Sequence, residues 1–365
     1  RDYNDTFKSR PVWTLFRSRM EAFAARLVSA RPVVGAEYQM PSLFDLTESL
    51  RWLYRFLTVL NVRAPRTSVT HSTAAAFCGI PCIVAKIRHG TPMILTEHGV
   101  YLREQNLFLS RFRRLFFCKQ FLLNLITAVV RANYHYADVI APVCHYNTRW
   151  ELAHGAGKHK IDVIYNGVDP DRFVPAPKTG RTPHVVTTAR IDPLKDIETL
   201  LRVAARVHAT HPDVRFTVFG AIADRPYYEK CIRQRDEAGL TQVVSMGEPA
   251  ADVVAAYHES DLILLTSISE AFPYSVLEAM SCERAVVASD VGGISEAVEG
   301  CGILVRPRDD EGFAHAVRRL LDEPALRIRF ARRGRQRVLD EFQVDKAIGS
   351  YLSLYQELGS PREAA

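Results

Sequence analysis

Two carboxylates and two cations are the residues of this chain best placed to do chemistry. Glu270 and Glu278 stand eight positions apart in the run Ser269-Glu270-Ala271-Phe272-Pro273-Tyr274-Ser275-Val276-Leu277-Glu278. A carboxylate pair first suggests the acid and base of a hydrolase. Arg190 and Lys195 share the stretch Thr188-Ala189-Arg190-Ile191-Asp192-Pro193-Leu194-Lys195-Asp196. A planar guanidinium fork and a point charge on one strand-to-helix loop suit a diphosphate. Structural alternatives stand beside both. Ser275-x-x-Glu278 is also a capping box, with the glutamate turned back to a backbone N–H. Arg190 could pair with Asp192 or Asp196 while Lys195 is solvated, and for that loop alone this is the stronger reading.

The elements that must hold these groups follow from the flanking sequence. Leu262-Ile263-Leu264-Leu265-Thr266-Ser267 reads as a parallel strand buried on both faces. Glu270 and Glu278 then lie at the carboxyl end of that strand and the mouth of the next helix, where open α/β sheets bind ligands. Around them strands are predicted at His184–Thr188, Val214–Phe219, Val243–Met246, Leu262–Thr266, Ala285–Ala288 and Ile303–Val305. Helices are predicted near Ile197–His208, Tyr227–Ala238, Ala250–Tyr257, Val276–Met280 and Gly293–Val298, with a helical tail from Phe313 to Leu358. This alternation means βαβ units and a doubly wound parallel sheet.

The first half begins with helices, about Trp13–Ser29 and from Ser42 to Leu60. Short strands are then expected at Ser68–His71, Met93–Thr96, Asp138–Ala141 and Ile161–Ile164. Helices are expected from Ala74 to Ile87 and from Glu104 to Asn133. The domain boundaries that result are 1–167, a proline-rich linker over 168–183, a second domain over 184–342, and a helical tail over 343–365 that packs back on the first domain. Two open sheets facing a cleft would place a ligand between them.

Composition narrows the function. At 365 residues with 47% hydrophobic and 24% charged content, the chain has the make-up of a soluble two-domain protein. A net charge of +6 fits an anionic small ligand or a membrane surface and does not point to nucleic acid. Seven scattered cysteines without a C-x-x-C pair speak against zinc and for a reduced, cytoplasmic compartment. The chain starts at Arg1 and shows no signal peptide, as in a fragment or a trimmed product. The apolar run Phe116–Val130, interrupted by Lys119, Gln120 and Asn124, is too short to span a bilayer. Its lead-in Arg111-Phe112-Arg113-Arg114-Leu115-Phe116-Phe117 could lie on an anionic surface at the inner face of the membrane. The reading favoured is a core helix with a solvated basic end. There is no Walker A sequence and no G-x-G-x-x-G, since Gly155-Ala156-Gly157 and Gly292-Gly293 lack a third glycine.

Arg190…Lys195, Gly220 after Val218-Phe219, and Glu270…Glu278 together resemble the donor domain of retaining GT-B glycosyltransferases of the GT4 family. Leu95-Thr96-Glu97-His98-Gly99-Val100-Tyr101-Leu102-Arg103-Glu104, with His71-Ser72 before it, is similar to the PelF branch, linked to exopolysaccharide assembly. The resemblance runs from about Ser68 to about Glu341. It implies a GT-B fold of two Rossmann-like domains and a UDP-sugar as donor substrate, with no cofactor and no metal. It gives Arg190 and Lys195 the leaving diphosphate, Glu278 the ribose hydroxyls, and Glu270 the transferred sugar. Backbone N–H groups from Phe272, Pro273, Tyr274, Ser275 to Val276, at a helix N-terminus, would contact sugar and phosphate, Pro273 contributing position only. His98 would reach the sugar from the first domain. Asp169-Pro170-Asp171 has a D-x-D look, which is read as structural because no further ligands converge on it.

Two departures stand out. Ala271 replaces a glycine that many relatives carry, at no cost in size. Residues 1–67 hold no strand with a glycine-rich loop, so the first sheet is expected to lack its opening strands. The function that follows is transfer of a hexose to a glycan or lipid-linked acceptor in exopolysaccharide or cell-envelope glycan synthesis. The alternatives are a non-catalytic sugar-nucleotide-binding partner of a polysaccharide synthesis complex and, more weakly, an epimerase acting on UDP-GlcNAc.

Overall fold

The computed structural model describes residues 3–30, 40–64, 66–110 and 116–360. The chain divides into two compact units. The first takes the chain up to Pro142, Arg149–Asp162 and the stretch from Tyr355 onward; the second takes Val143–Thr148 and Val163–Leu354.

The first unit opens with helices α1 (Tyr3–Phe7), α2 (Arg10–Ala30) and α3 (Leu43–Phe56), then a 3-10 turn over Leu57–Asn61. Ser42 starts α3 with a capping box in which Asp45 is the reciprocal partner. The unit continues through β1 (Thr70–Ser72), α4 (Ile80–His89), β2 (Met93–Glu97), α5 (Tyr101–Ser110), α6 (Phe116–Tyr136), β3 (Val139–Pro142) and, from Arg149, the latter part of α7 (His145–Ala153), whose first residues are assigned to the second unit. β1, β2 and β3 form a parallel sheet in that order. All five residues of β2 are buried, as parallel strands covered on both faces must be. Leu122, Ile126, Val130 and Tyr134 of α6 pack on Leu95 and Ile140 of the sheet.

Several expectations change here. The helix drawn from Ala74 becomes a 3-10 turn, Phe77–Gly79, followed by α4, because Pro81 fits only the first turn of a helix. The described parts of the long helix expected over Glu104–Asn133 are α5 and α6. Residues 111–115, the basic-aromatic lead-in, lie outside the described residues. Ile161–Ile164 is not a strand. Ile161 makes one bridge to Ile140, and from Val163 the chain joins the second unit. Before β1 the described elements are helical. No helix among the described residues is long and apolar enough to cross a membrane.

The second unit alternates strictly: β4 (His184–Thr188), α8 (Ile197–His208), β5 (Arg215–Phe219), α9 (Arg225–Glu237), β6 (Val244–Met246), α10 (Val253–His258), β7 (Leu262–Leu265), α11 (Tyr274–Ser281), β8 (Ala285–Ser289), α12 (Ile294–Val298), β9 (Gly302–Val305). Helices α13 (Asp310–Asp322), α14 (Pro324–Glu341) and α15 (Val344–Gly359) follow. The six parallel strands run β6-β5-β4-β7-β8-β9, so the order reverses between β4 and β7. Alternate residues of β4 feed two cores. Val185 joins Leu200, Phe216 and Val317 on one face, and Val186 joins Ile263, Val276, Met280 and Phe342 on the other.

The proline-rich stretch read as a linker is packed into this second unit. Val168 pairs with the segment after α14 through Val168 N–H to Phe342 C=O and Val344 N–H to Val168 C=O. Phe173 is buried, and the Arg335 guanidinium donates to the carbonyls of Pro170, Phe173 and Ser281. Prolines mark this stretch in the sequence, but an arginine 162 residues away from Phe173 ties it down.

Candidate functional site

In a doubly wound sheet the ligand crevice opens at the carboxyl ends of the two strands where the order reverses. Here those strands are β4 and β7. The loop after β4 carries Arg190 and Lys195; the loop after β7 carries Glu270. Local chemistry shapes the first loop. Asp192 accepts from Leu194 N–H to close a 3-10 turn over Pro193–Lys195. Asp196, in the left-handed region at φ 48°, caps α8 by accepting from Thr199 N–H. The two loops are then laced together. Ile268 N–H donates to Leu194 C=O at 2.8 Å, and Thr266 Oγ1 donates to the carbonyls of Lys195 and Asp196, both at 3.1 Å.

This lacing brings Lys195 and Glu270 into contact, Nζ to Oε1 at 2.5 Å, with side chains 17% and 10% exposed. Ser267 Oγ donates to the same oxygen at 2.7 Å. Lys195 is therefore paired rather than solvated. Arg190 differs. Its side chain is 69% exposed, and its contact with Asp192 is 3.7 Å, a loose surface pair of small worth.

Glu278 sits in the second turn of α11, half-buried, and Oε2 accepts from Tyr257 OH of α10 at 2.7 Å. Tyr257 OH also meets Thr188 Oγ1, the last residue of β4, at 2.7 Å. Burial raises the Glu278 pKa, while the Tyr257 hydroxyl and the nearby Arg172 charge favour its ionised form. The capping-box alternative fails. Helix α11 begins at Tyr274 after an N-cap Pro273 that makes no side-chain cap bond, so Ser275 lies inside the helix. Around the N-terminus of α11, Phe272 is buried and its carbonyl is taken by Asn166 Nδ2 at 2.9 Å; Tyr274 is exposed. Ser275 and Val276 complete the first turn.

Two glycines permit close approach of the surrounding backbone. A Cβ on Gly220, at the end of β5, would lie 1.8 Å from Ala189 C=O. Gly292, at φ 63°, has the same relation to Glu270 C=O, again at 1.8 Å. Gly292 and Gly293 carry no phosphate fingerprint. They hold the Glu270 loop instead, with Gly293 N–H donating to Ala271 C=O at 2.6 Å. Asp169 is likewise a turn former, accepting from Asp171 N–H and Arg172 N–H.

In the first unit His98 is exposed in the turn between β2 and α5. Burial, and after it the His98 charge, lower the pKa of His71 in β1. His71 Nε2 meets Thr96 Oγ1 at 2.8 Å and Nδ1 meets Tyr355 OH at 2.6 Å. Sequence reasoning had no hold on Tyr257, Thr188, Ser267 or Tyr355. Tyr257 looks like any apolar position of a short helix, and only packing reveals its hydroxyl contacts.

Residues 182–323 match the family model of glycosyl transferases group 1. Residues 3–159 match a domain of unknown function, DUF3492. A D-inositol 3-phosphate glycosyltransferase of Mycobacterium sp. (strain KMS) is 33% identical over 193 residues, 49% of this chain and 43% of that protein. A glycogen synthase of Mycobacterium tuberculosis (strain CDC 1551 / Oshkosh) is 31% identical over 192 residues, covering 52% and 46%. The chain thus spans under half the length of these curated relatives. The crystal structure of Anabaena HepE in complex with UDP-glucose superposes with a TM-score of 0.69 over 80% of this chain and 79% of that one, at 18% identity. The fold is therefore of the GT-B type, two α/β units with parallel sheets. Within it, Arg190, Lys195, Glu270 and Glu278 all lie in the segment that matches the model of glycosyl transferases group 1.

Proposed function

We propose that this protein transfers a hexose from a nucleotide-diphosphate sugar, a UDP-hexose, to a glycan or lipid-linked acceptor with retention. We place it in the PelF-like branch of GT4, working without metal at the cytoplasmic face of the membrane in exopolysaccharide or cell-envelope glycan synthesis. The observation that carries the reading is the Lys195–Glu270 contact between the β4 and β7 loops, with Glu278, on the helix after β7, bonded to Tyr257. The UDP-glucose bound to HepE, a protein of the same fold, supports the donor class.

On this reading Lys195 exchanges part of its contact with Glu270 for the donor diphosphate, and the exposed Arg190 closes on the same group. Positive charge aimed at the leaving phosphate lowers the barrier as negative charge builds there. Glu278 takes the ribose hydroxyls, and Tyr257 keeps it oriented and ionised. Gly220 lets the end of β5 lie against the Ala189 carbonyl and so seats the loop that carries Arg190. The N–H groups at the start of α11, from Phe272 through Tyr274, Ser275 and Val276, face phosphate and sugar. Glu270, freed from Lys195, meets sugar hydroxyls, and His98 contributes from the first unit.

The test is transfer of radiolabelled hexose from UDP-glucose and related donors to glycan and lipid-linked acceptors, with K195A and E278A as controls. Loss of transfer in both, with unchanged circular dichroism, is the expected result. Undiminished turnover in both variants overturns the reading. Calorimetric donor binding without turnover or donor hydrolysis would leave only the binding-partner function.

A further inference from the structure

Glu97 and Glu151 form the most unusual group of charges in the molecule outside the donor loops. Both side chains are fully buried at 0% exposure. Glu97 closes β2, immediately before His98, and Glu151 lies on α7. Glu97 Oε2 accepts from Tyr134 OH of α6 at 2.7 Å. Glu97 Oε1 and both oxygens of Glu151 receive no hydrogen bond from any donor among the described residues. The two carboxyls lie within hydrogen-bonding reach of each other. The other groups bearing on Glu97 are the Tyr101 amide at the start of α5 and the Glu104 carboxylate, which adds a further negative charge.

A carboxylate can only accept, so two of them can bond only when one keeps its proton. Two ionised carboxylates buried side by side would also repel in a medium that solvates neither. We propose that Glu97 and Glu151 hold one proton between them, and that this shared proton fixes the His98 turn by tying the end of β2 to α6 and α7. Burial raises both groups above the usual carboxyl range, Glu97 to about 7 and Glu151, on which Glu97 also bears, to about 9. The turn itself is tight: a Cβ on Gly99 would lie 2.3 Å from Glu104 Oε1. Glu97 and Glu151 are thus positioning residues for His98. Their effect on turnover rests on the transferase reading; the shared proton does not.

The sign of the pH dependence follows. Both groups titrate at about 4.3 when unfolded. Folded values above that mean the pair's stabilisation is complete below the unfolded pKa and is lost as pH rises through the folded values. E151Q replaces the proton by an amide N–H that donates to Glu97. From pH 6 to pH 9 the wild-type melting temperature should fall relative to that of E151Q, up to about tenfold in the folded-to-unfolded ratio per pH unit. E97Q should flatten the curve in the same way. Parallel curves for wild type and both variants overturn the proposal. If neither variant folds, infrared difference spectra of the wild type decide. A protonated-carboxyl band that persists at pH 7 and vanishes at alkaline pH supports the pair, and its absence at pH 7 refutes it. Transfer by E151Q should persist at pH 9 where wild-type kcat declines, with the donor KM unchanged. If no protein transfers sugar, the transferase reading fails while the melting curves still judge the pair.

Discussion

Glu278 and Glu97 make the same bond in two different settings. Each accepts a tyrosine hydroxyl at 2.7 Å, from Tyr257 in the second unit and from Tyr134 in the first. Glu278 is half-buried, with the Arg172 charge favouring ionisation. Glu97 is sealed, and its neighbour is another carboxyl. The first arrangement leaves a partly exposed carboxyl beside a cation, which on the proposed function takes a ligand's hydroxyls. The second is a group that, on our proposal, shares one proton with its neighbour and serves the fold. Under the proposed function, exposure and the sign of the neighbouring charge separate the carboxylate that would bind the donor from the one that serves the fold; the tyrosine does not.

K195A should have the largest effect. Removing the buried cation should lower turnover by about 10²–10³-fold, the usual cost of losing one charge-stabilising donor. Far-ultraviolet circular dichroism should be unchanged, because Glu270 keeps its bond from Ser267. A variant with near-normal kcat would break the contrast between the two units.

G220A tests the backbone that supports the site. A methyl 1.8 Å from the Ala189 carbonyl must push the β4 and β5 ends apart, costing about 1–3 kcal/mol in urea unfolding. Donor affinity should fall with it. A fully stable G220A with normal donor binding would show that this close approach is dispensable.

Y257F and Y134F sharpen the comparison directly. Y257F should weaken donor binding about tenfold, or ~1.4 kcal/mol by calorimetry. Losing a hydroxyl that favours the carboxylate raises the Glu278 pKa further, so the acid-side loss of donor binding should move to higher pH. Y134F should leave donor affinity unchanged and lower stability by about 1–3 kcal/mol, since a buried carboxyl oxygen loses its donor. Equal effects of the two variants on donor binding would erase the distinction.

R190A should be the mildest. Its 69% exposed side chain and 3.7 Å contact with Asp192 predict a stability change within about 0.5 kcal/mol. Donor affinity should drop only a few-fold in the same titration, more at low salt than at high salt.

Much of the second unit was legible beforehand. Leu262–Leu265 and Ala285–Ser289 are unbroken apolar runs because parallel strands are covered on both faces, and such runs announce themselves. The loop with Arg190 and Lys195 could be placed at a strand end for the same reason. The first unit was harder. Its strands are three to five residues long, too short for a pattern to separate Ile161–Ile164, which only bridges, from β3, which pairs. The capping-box alternative for Ser275-x-x-Glu278 falls because it needs the serine at the helix boundary, and the N-cap is Pro273.

The sequence by itself determined which residue types stand at which strand ends, because local apolar runs and caps set the elements and their order. It placed Arg190, Lys195 and Glu270 on loops, and Glu278 on the helix that follows, where they could share a crevice. Only the tertiary structure decided their partners. Lys195 meets Glu270 across 75 residues, Glu278 meets Tyr257 across 21, and Glu97 meets Glu151 between a strand and a helix. Those partnerships depend on how helices settle on the sheets, and side-chain bonds between elements leave no periodic trace in the chain.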